Sequence, residues 1–169
     1  MSLLYTYLIS IGSIWCWLFA FLSGSLFLIL CFQKRIYAEL ALQVFYIAMA
    51  IYGYLNWGEG LSEAPDPLNW HFHLGFILGT GLLVLASGLF LSKWTDSKLP
   101  YLDSFTTLFS ILATILMVQL FASNWLYWIV IDAVSILLYY RRGLKLSAAL
   151  FLIYTFMAIN GYLQWTQLL

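Results

Sequence analysis

A segment of nine residues occurs twice in this chain, and the two copies lie 108 residues apart. The first copy, 49–57, reads MAIYGYLNW and the second, 157–165, reads MAINGYLQW, so that seven of the nine residues are identical. The same offset pairs Trp17 with Trp125 and Tyr46 with Tyr154. Adjacent repeats of roughly 20–50 residues are typical of solenoids, whereas one copy in each half of the chain indicates two similar helix bundles.

The composition of the chain indicates an integral membrane protein. It is 64% hydrophobic and 8% charged, with a mean hydropathy of +0.93, whereas a soluble domain needs roughly 25% charged residues to cover its surface. Aromatic residues make up 20% of the chain, including eight tryptophans, which suits interfacial belts and stacking surfaces. Repeated bundles in so apolar a chain are typical of transporters. The net charge of the chain is zero, which indicates no nucleic-acid partner.

Motifs for metals, cofactors and catalysis are missing from the sequence. Cys16 and Cys31 lie in apolar stretches and are interpreted as small buried hydrophobic residues rather than as a disulfide or metal pair. His71 and His73 are two residues apart, so they point to different faces of a helix or strand. Neither a phosphate-binding glycine loop nor a catalytic triad spacing occurs. We therefore expect no metal, no cofactor and no enzymatic activity.

Six apolar segments are long enough to cross a bilayer, which takes about 20 residues each. They lie near 13–32, 37–57, 72–92, 102–120, 124–140 and 146–166. By the offset, residues 1–12 correspond only to the later part of the fourth segment, so the first helix is expected to be truncated. The sequence thus predicts one all-α membrane domain, 1–169, in which two parallel three-helix repeats, 1–57 and 102–166, are joined by a linker helix at 72–92.

The charges are segregated between the two sides of the predicted membrane protein. All seven basic residues lie in three alternate loops: Lys34, Arg35, Lys93, Lys98, Arg141, Arg142 and Lys145. The loop on the opposite side carries Glu59, Glu63 and Asp66. Because basic loops stay in the cytoplasm, the C-terminus is expected outside, and the repeats are expected to share one orientation.

The fifth apolar segment carries a candidate site. Trp125, Trp128 and Asp132 are spaced i, i+3 and i+7, so they share one face of a helix that begins near Asn124. A carboxylate in the middle of a span costs at least ~2.5 kcal/mol, so Asp132 is expected to face the bundle interior. Two alternatives remain: the tryptophans could be interfacial anchors, and Asp132 could form a structural hydrogen bond to a neighbouring helix.

The sixth segment adds further candidates, with counterparts in the first half of the chain. Asn160 and Gln164 are i, i+4 neighbours that offer amide groups, and Tyr154 lies on the same segment. Trp17 and Asn56 are the corresponding candidates of the first half. The alternative is that these segments serve helix packing through small residues such as Gly161 and through interhelical hydrogen bonds.

The chain resembles the PnuC family of vitamin transporters over nearly its whole length, and two stretches carry this resemblance. They run from Trp15-Cys16-Trp17 through Tyr52-Gly53-Tyr54-Leu55-Asn56-Trp57, and from Asn124-Trp125-Leu126-Tyr127-Trp128 and Asp132 through Gly161-Tyr162-Leu163-Gln164-Trp165. The resemblance implies a fold similar to the SWEET sugar carriers, in a bacterial plasma membrane. It also implies facilitated diffusion of an unphosphorylated vitamin precursor, mainly nicotinamide riboside, which a cytoplasmic kinase then traps. A homo-oligomer is left open.

The candidate residues suit such a substrate. A heteroaromatic ring can stack on tryptophan, and a cationic ring gains up to ~2 kcal/mol when desolvated. The predicted substrate-binding residues are Asn124, Trp125, Trp128, Asp132, Tyr154, Asn160, Gln164, Trp17 and Asn56. One alternative is a carrier of the same family for thiamine or for another vitamin or nucleoside. The other is a non-transporting accessory membrane protein, which would need no polar residues that converge inside the bundle.

Overall fold

Seven α-helices account for most of the chain in the computed structural model. The structure describes residues 2–33, 37–57, 70–95 and 98–168, and these ranges contain no strand. The helices are α1 Ser2–Ser10, α2 Trp15–Gln33, α3 Tyr37–Asn56, α4 Trp70–Trp94, α5 Pro100–Val118, α6 Asn124–Arg141 and α7 Lys145–Leu168. Helices α2 to α7 coincide with the six apolar segments to within two residues at each end.

Four of these helices are long and apolar enough to cross a membrane by length and composition. They are Trp15–Gln33, His71–Trp94, Pro100–Val118 and Lys145–Gln167. The predicted all-helical membrane fold is therefore confirmed at this level. The loop that holds Lys34 and Arg35, and the loop with Glu59, Glu63 and Asp66, lie outside the described residues.

Helix α5 packs on three other helices, α3, α4 and α6, and α1 packs on α2 and α7. Consecutive helices contact each other in the pairs α1–α2, α2–α3, α4–α5, α5–α6 and α6–α7. Two further contacts connect the halves of the chain, because α1 packs on α7 and α5 packs on α3. Helix α4 packs mainly along α5, and its His73 side chain reaches Tyr127 of α6. Most of its side chains therefore face outward, as is expected of a helix surrounded by lipid.

The connections α1–α2 and α5–α6 have the same backbone geometry. Gly12 and Leu120 both adopt the left-handed conformation, with φ of 69° and 63°. Just after them, the Ser13 amide donates to the Leu8 carbonyl oxygen at 3.0 Å, and the Phe121 amide donates to that of Leu116 at 3.0 Å. A left-handed residue after a helix satisfies the last carbonyl groups in this way. The left-handed conformation costs a leucine roughly 1–2 kcal/mol of conformational energy, a cost that is absent for glycine.

The repeated nine-residue segments pack tryptophans from the neighbouring helix. The indole of Trp17 lies so close to Gly53 that a Cβ there would be 2.5 Å from the ring, and Trp125 lies against Gly161 in the same way at 2.6 Å. Only glycine permits such an approach. The two glycines therefore serve helix packing, which agrees with the alternative considered from the sequence.

The core is centred on four tryptophans that form a continuous cluster. Trp17 meets Trp57 edge to face at 5.1 Å, Trp57 meets Trp165 at 5.9 Å, and Trp165 meets Trp125 edge to face at 5.6 Å. Edge-to-face aromatic pairs add roughly 0.5–1.5 kcal/mol beyond the area that they bury. This tryptophan cluster connects α2 and α3 with α6 and α7.

Candidate functional site

Two adjoining cavities lie inside the helix bundle. The Asp132 cavity has a volume of about 330 Å³ and is lined by Tyr5, Thr6, Ile9, Tyr46, Met117, Trp125, Trp128, Asp132, Phe151, Tyr154 and Ala158. The Gln43 cavity has a volume of about 260 Å³ and is lined by Tyr5, Trp17, Ala20, Ser23, Gly24, Phe27, Gln43, Tyr46, Met49, Thr114 and Trp128. Tyr5, Tyr46 and Trp128 contribute to both, so the cavities are neighbours.

Asp132 is the chemically distinctive group of this site. It lies in the third turn of α6, it lines the Asp132 cavity, and only 3% of it is exposed. Its carboxyl group has no hydrogen-bond or ion-pair partner among the described residues. The sequence left open a structural hydrogen bond from Asp132 to a neighbouring helix. The described residues contain no such bond. Burying a polar group without a hydrogen-bond partner costs free energy. A ligand that supplies this partner would therefore be bound favourably.

The two tryptophans of α6 have different environments. Trp125 is 1% exposed and is held between Gly161 and Trp165, so that its ring acts mainly as a wall of the core. Trp128 is half-buried and borders both cavities. Its indole Nε1 is buried and has no acceptor among the described residues. Trp128 is therefore the tryptophan that is better placed to stack on a bound ring.

Five of the predicted substrate-binding residues come together at these cavities. Trp125, Trp128, Asp132 and Tyr154 line the Asp132 cavity, and Trp17 lines the Gln43 cavity. This convergence places polar and aromatic groups inside the bundle rather than in an interfacial belt, which is the position that a solute pathway requires.

The other four predicted residues line neither cavity. Asn124 is buried and donates through Nδ2 to the carbonyl oxygen of Phe121 at 2.6 Å. Asn56 is exposed and donates to the carbonyl oxygen of its own helix at Tyr52, 2.8 Å away. Asn160 is exposed and Gln164 is half-buried.

Helical geometry explains the position of Asn160. The face of α7 that borders the Asp132 cavity carries Tyr154 and Ala158, which are four residues apart. Asn160 follows Ala158 by two residues and thus projects from nearly the opposite side of the helix. The structure therefore does not bring the Asn160 amide to the carboxylate of Asp132.

Several lining residues were not identified from the sequence. Gln43 is 9% exposed and lies in the middle of α3, and Thr114 is buried on α5. A polar side chain inside an apolar helix is a signal that could have indicated both. Tyr46 borders both cavities, and its pairing with Tyr154 at the 108-residue offset was a second available signal.

A larger cavity of about 500 Å³ lies between α4, α5 and α6. Its lining is almost entirely apolar, and its polar side chains are Ser123 and the pair His73 and Tyr127, joined at 2.9 Å from Nδ1 to the hydroxyl oxygen. It contains no carboxylate and no amide side chain, so it offers a polar solute fewer partners than the two core cavities. Within the described residues, no group of three or more His, Cys, Asp or Glu could hold a metal ion.

A family model for nicotinamide mononucleotide transporters matches residues 1–167 of the chain. The chain belongs to the nicotinamide mononucleotide transporter family. The resemblance predicted from the sequence motifs is confirmed, and family membership makes this protein a multi-pass bacterial membrane transporter rather than an enzyme.

Relatives of known activity in this transporter family align along most of their length. The nicotinamide riboside transporter PnuC of Escherichia coli strain K12 is 28% identical over 187 residues, an alignment that covers 94% of this chain and 78% of that protein. The riboflavin/roseoflavin transporter RibM of Streptomyces davaonensis is 24% identical over 160 residues, which covers 90% of this chain and 75% of that protein.

A solved structure shares the fold. The crystal structure of the vitamin B3 transporter PnuC superposes with a TM-score of 0.70 at 24% sequence identity. The match covers 97% of this chain and 77% of that one. The overall arrangement of the helices is therefore that of the solved structure.

Proposed function

We propose that this protein carries nicotinamide riboside across the bacterial plasma membrane through its two core cavities, by facilitated diffusion. The observation that carries the proposal is the buried carboxyl group of Asp132, which has no hydrogen-bond or ion-pair partner among the described residues and lies beside the half-buried ring of Trp128. Nicotinamide riboside combines a cationic pyridinium ring with a sugar. An accessory membrane protein would gain nothing from leaving such a carboxyl group without a partner.

The chemistry of the Asp132 cavity matches a cationic ring. A pyridinium that stacks on Trp128 gains up to ~2 kcal/mol once it is desolvated. The carboxylate of Asp132 balances the positive charge, in a medium where an opposite charge is worth more than in water. Tyr154 and Tyr46 add aromatic walls with hydroxyl groups. The names of the PnuC relatives support this substrate.

We infer that the transport unit consists of two three-helix repeats, 1–57 and 102–166, with the linker helix at 72–92 between them. The support is that α1–α2–α3 and α5–α6–α7 have matching neighbours, since α1 packs on α7 as α5 packs on α3. The shared geometry at Gly12 and Leu120 adds to this. The repeats would rock against each other and expose the cavities to each side in turn.

The orientation of the protein follows from its basic loops. With α2 to α7 all crossing the bilayer, the connections that hold Lys93, Lys98, Arg141, Arg142 and Lys145 lie on one side. We place that side in the cytoplasm because basic loops are retained there. The C-terminal end of α7 would then lie outside the cell.

The proposal excludes energy coupling. Asp132 is the only buried acidic side chain among the residues that the structure describes, and in this proposal it serves the substrate. Net uptake then depends on a cytoplasmic kinase, which would phosphorylate the riboside and prevent its return. This kinase need not bind the carrier.

Uptake into proteoliposomes tests the proposal. Purified protein should equilibrate labelled nicotinamide riboside to the outside concentration, with the same final level in the presence and absence of a proton gradient. Protein-free liposomes and liposomes with the Asp132→Asn variant are the controls. Accumulation above the outside concentration that depends on the gradient would contradict facilitated diffusion and would make Asp132 a candidate for proton coupling.

A second candidate substrate is riboflavin, because RibM is among the relatives of this chain. Riboflavin is a neutral, larger ring system with a polyol chain, so it would depend less on the charge of Asp132. Thiamine, which is cationic, is a third solute for the same assay. Uptake of riboflavin or thiamine without uptake of nicotinamide riboside would retain the carrier function but reject the proposed substrate.

A further inference from the structure

The cavity of about 500 Å³ between α4, α5 and α6 has no part in the proposed transport path. We call it the His73 cavity, and among the described residues it shares no lining residue with the Asp132 cavity or the Gln43 cavity. Because its lining is almost entirely apolar, a sugar or a charged solute would lose its hydration there without gaining enough hydrogen bonds in return. A ligand of the His73 cavity must therefore be mainly apolar itself.

The His73 cavity is a wedge between α4 and α6. Within the described part of the chain, both helices pack on α5, but their backbones do not pack on each other. Side-chain contacts close the wedge near the start of α4. There, Nδ1 of His73 lies 2.9 Å from the hydroxyl oxygen of Tyr127, and the ring of Phe72 stacks on that of Phe121 at 5.8 Å. Beyond these contacts, the space between the two helices is open to a chain-like molecule.

The His73 cavity opens toward the outer surface of the helix bundle. Four of its lining residues are between 36% and 53% exposed, namely Leu74 and Ile77 on α4 and Leu126 and Val130 on α6. Because α4 is long and apolar enough to cross a membrane, this surface faces lipid. An acyl chain of the bilayer can therefore enter the cavity from the side, without passing through water.

The polar groups of the His73 cavity are gathered at one end. Ser123 is 2% exposed, and its buried Oγ has no hydrogen-bond partner among the described residues. The buried Nε2 of His73 has none there either. Buried polar atoms of this kind cost free energy until a ligand supplies the missing hydrogen bond. The ligand must therefore carry a hydrogen-bonding group at one end of an apolar body.

The depth of the His73 cavity corresponds to one leaflet of a bilayer. Along α6 its lining runs from Ser123 to Ile131, which is about 12 Å at the rise of an α-helix. One leaflet contributes about 15 Å to the hydrocarbon core. His73 lies in the first turn of α4, a helix of 25 residues, which is long enough to reach both membrane interfaces. The polar end of the cavity therefore lies where the glycerol esters of a phospholipid meet the acyl chains.

We propose that the His73 cavity binds one acyl chain of a bilayer phospholipid, whose ester carbonyl oxygen accepts hydrogen bonds from Ser123 and His73. Tyr127 donates its hydroxyl hydrogen to Nδ1 of His73, which leaves the ring hydrogen on Nε2 for the lipid. Because lipid tails are as apolar as the cavity, packing contacts and these hydrogen bonds provide the affinity. The bound lipid fills the wedge and connects α4 with α6. This inference is independent of the substrate proposed above.

The test compares two lipids that differ only in the ester carbonyl groups. Dioleoyl phosphatidylcholine and its diether analogue have the same headgroup and chains of the same length, but the diether has no carbonyl oxygen. Each lipid is titrated into the purified, delipidated full-length protein in detergent, and the bound lipids are counted by native mass spectrometry. We expect one tightly bound lipid per protein chain. The diester should bind about fivefold more tightly than the diether, which is the effect of about one hydrogen bond.

Two substitutions test the two ends of the His73 cavity. Val130→Trp places an indole at the opening and should weaken the binding of both lipids about tenfold or more. Val44→Trp on α3 is the matched control, because Val44 is 51% exposed, against 53% for Val130, and lines none of the three cavities. Ser123→Ala should reduce the preference for the diester to less than about twofold. The Ser123 side chain makes no capping hydrogen bond to α6, so this variant should unfold at the same temperature as the unaltered protein when no lipid is present.

Weaker binding in Val130→Trp alone, together with a lost diester preference in Ser123→Ala, supports the lipid site. Unchanged binding in Val130→Trp, or equal weakening in Val44→Trp, would reject the His73 cavity as its location. A diester preference that is absent from the unaltered protein, or that survives in Ser123→Ala, would reject the hydrogen bonds to the ester. If the unaltered protein bound no lipid tightly and Val130→Trp changed its oligomeric state, the lipid would be rejected in favour of a second copy of this chain. Each of these results leaves the proposed transport of nicotinamide riboside untouched.

Discussion

The indole nitrogen of Trp165 donates a hydrogen bond of 3.1 Å to the backbone carbonyl oxygen of Ile9. This bond joins the last turns of α7 to the end of α1, and both residues are fully buried. Trp57, the counterpart of Trp165 in the repeated segment, has a buried Nε1 with no acceptor in the described part of the chain. The Trp165–Ile9 hydrogen bond between the two halves thus has no equivalent at the counterpart position among the described residues.

The first prediction concerns this asymmetry. Trp165→Phe removes the hydrogen bond and should lower the free energy of unfolding by about 1 kcal/mol more than Trp57→Phe does. The Ile9 carbonyl oxygen also accepts from the Gly12 amide at 3.0 Å, so it is not left without a partner. Thermal unfolding in detergent measures the difference. Equal destabilisation by both substitutions would contradict the prediction.

The second prediction separates the two tryptophans of α6. Trp125→Ala should destabilise the protein by roughly 3–5 kcal/mol, because a fully buried indole leaves a cavity. Trp128→Ala should have a smaller effect on stability but should raise the KM for a ring-containing substrate on the order of tenfold or more, since stacking contributes about 1–3 kcal/mol. The measurements are thermal unfolding and initial uptake rates. A Trp128→Ala variant with normal uptake would argue against stacking on this ring.

The third prediction concerns the glycines of the repeated segments. Gly53→Ala and Gly161→Ala place a methyl group against the rings of Trp17 and Trp125 and should each cost roughly 1–3 kcal/mol of stability. Gly79→Ala is the matched control, because a Cβ at that position on α4 meets no atom within 4 Å. The midpoint of thermal unfolding should fall for the first two variants only. A comparable fall for Gly79→Ala would show that the helix, rather than the tryptophan contact, is responsible.

The fourth prediction distinguishes the charge of Asp132 from its shape. Asp132→Asn keeps the size of the side chain but cannot balance a cation, so the affinity for nicotinamide riboside should fall about tenfold or more, since a hydrogen bond to a charged group contributes about 1.5–3 kcal/mol. Any binding of neutral riboflavin should change much less. Competition for uptake by the two compounds provides the comparison. An equal loss for both would indicate that Asp132 acts through structure and not through charge.

The fifth prediction concerns orientation. A reporter enzyme that is active only outside the cytoplasm should be active when it is fused after Leu169, and inactive when it is inserted at Lys98. The reason is that the basic connections remain in the cytoplasm while the end of α7 lies on the other side. Activity of a cytoplasmic reporter at the C-terminus would reverse the proposed orientation.

Much of the candidate site could be predicted from local spacing. Trp128 and Asp132 lie on one face of any helix that contains both, and a carboxylate in a span has few tolerated positions other than the interior. Asn160 shows the limit of this reasoning. Its amide looked suitable as a ligand, but the rotation of α7 about its own axis turns it outward, and no local feature of the sequence determines that rotation.

The sequence by itself determined the helices, because a bilayer requires about 20 consecutive apolar residues and six segments met that requirement. It also indicated the family, through the motifs of the two stretches that begin at Trp15 and Asn124, which the family model confirmed. Only the tertiary structure decided which faces of the helices meet. In a soluble protein the polar face would have revealed this, but lipid is as apolar as the interior, so outward-facing residues such as Leu55, Leu82 and Phe156 look like core residues in the sequence. The pairing of the Asp132 and Gln43 cavities therefore became visible only once the helices were packed together.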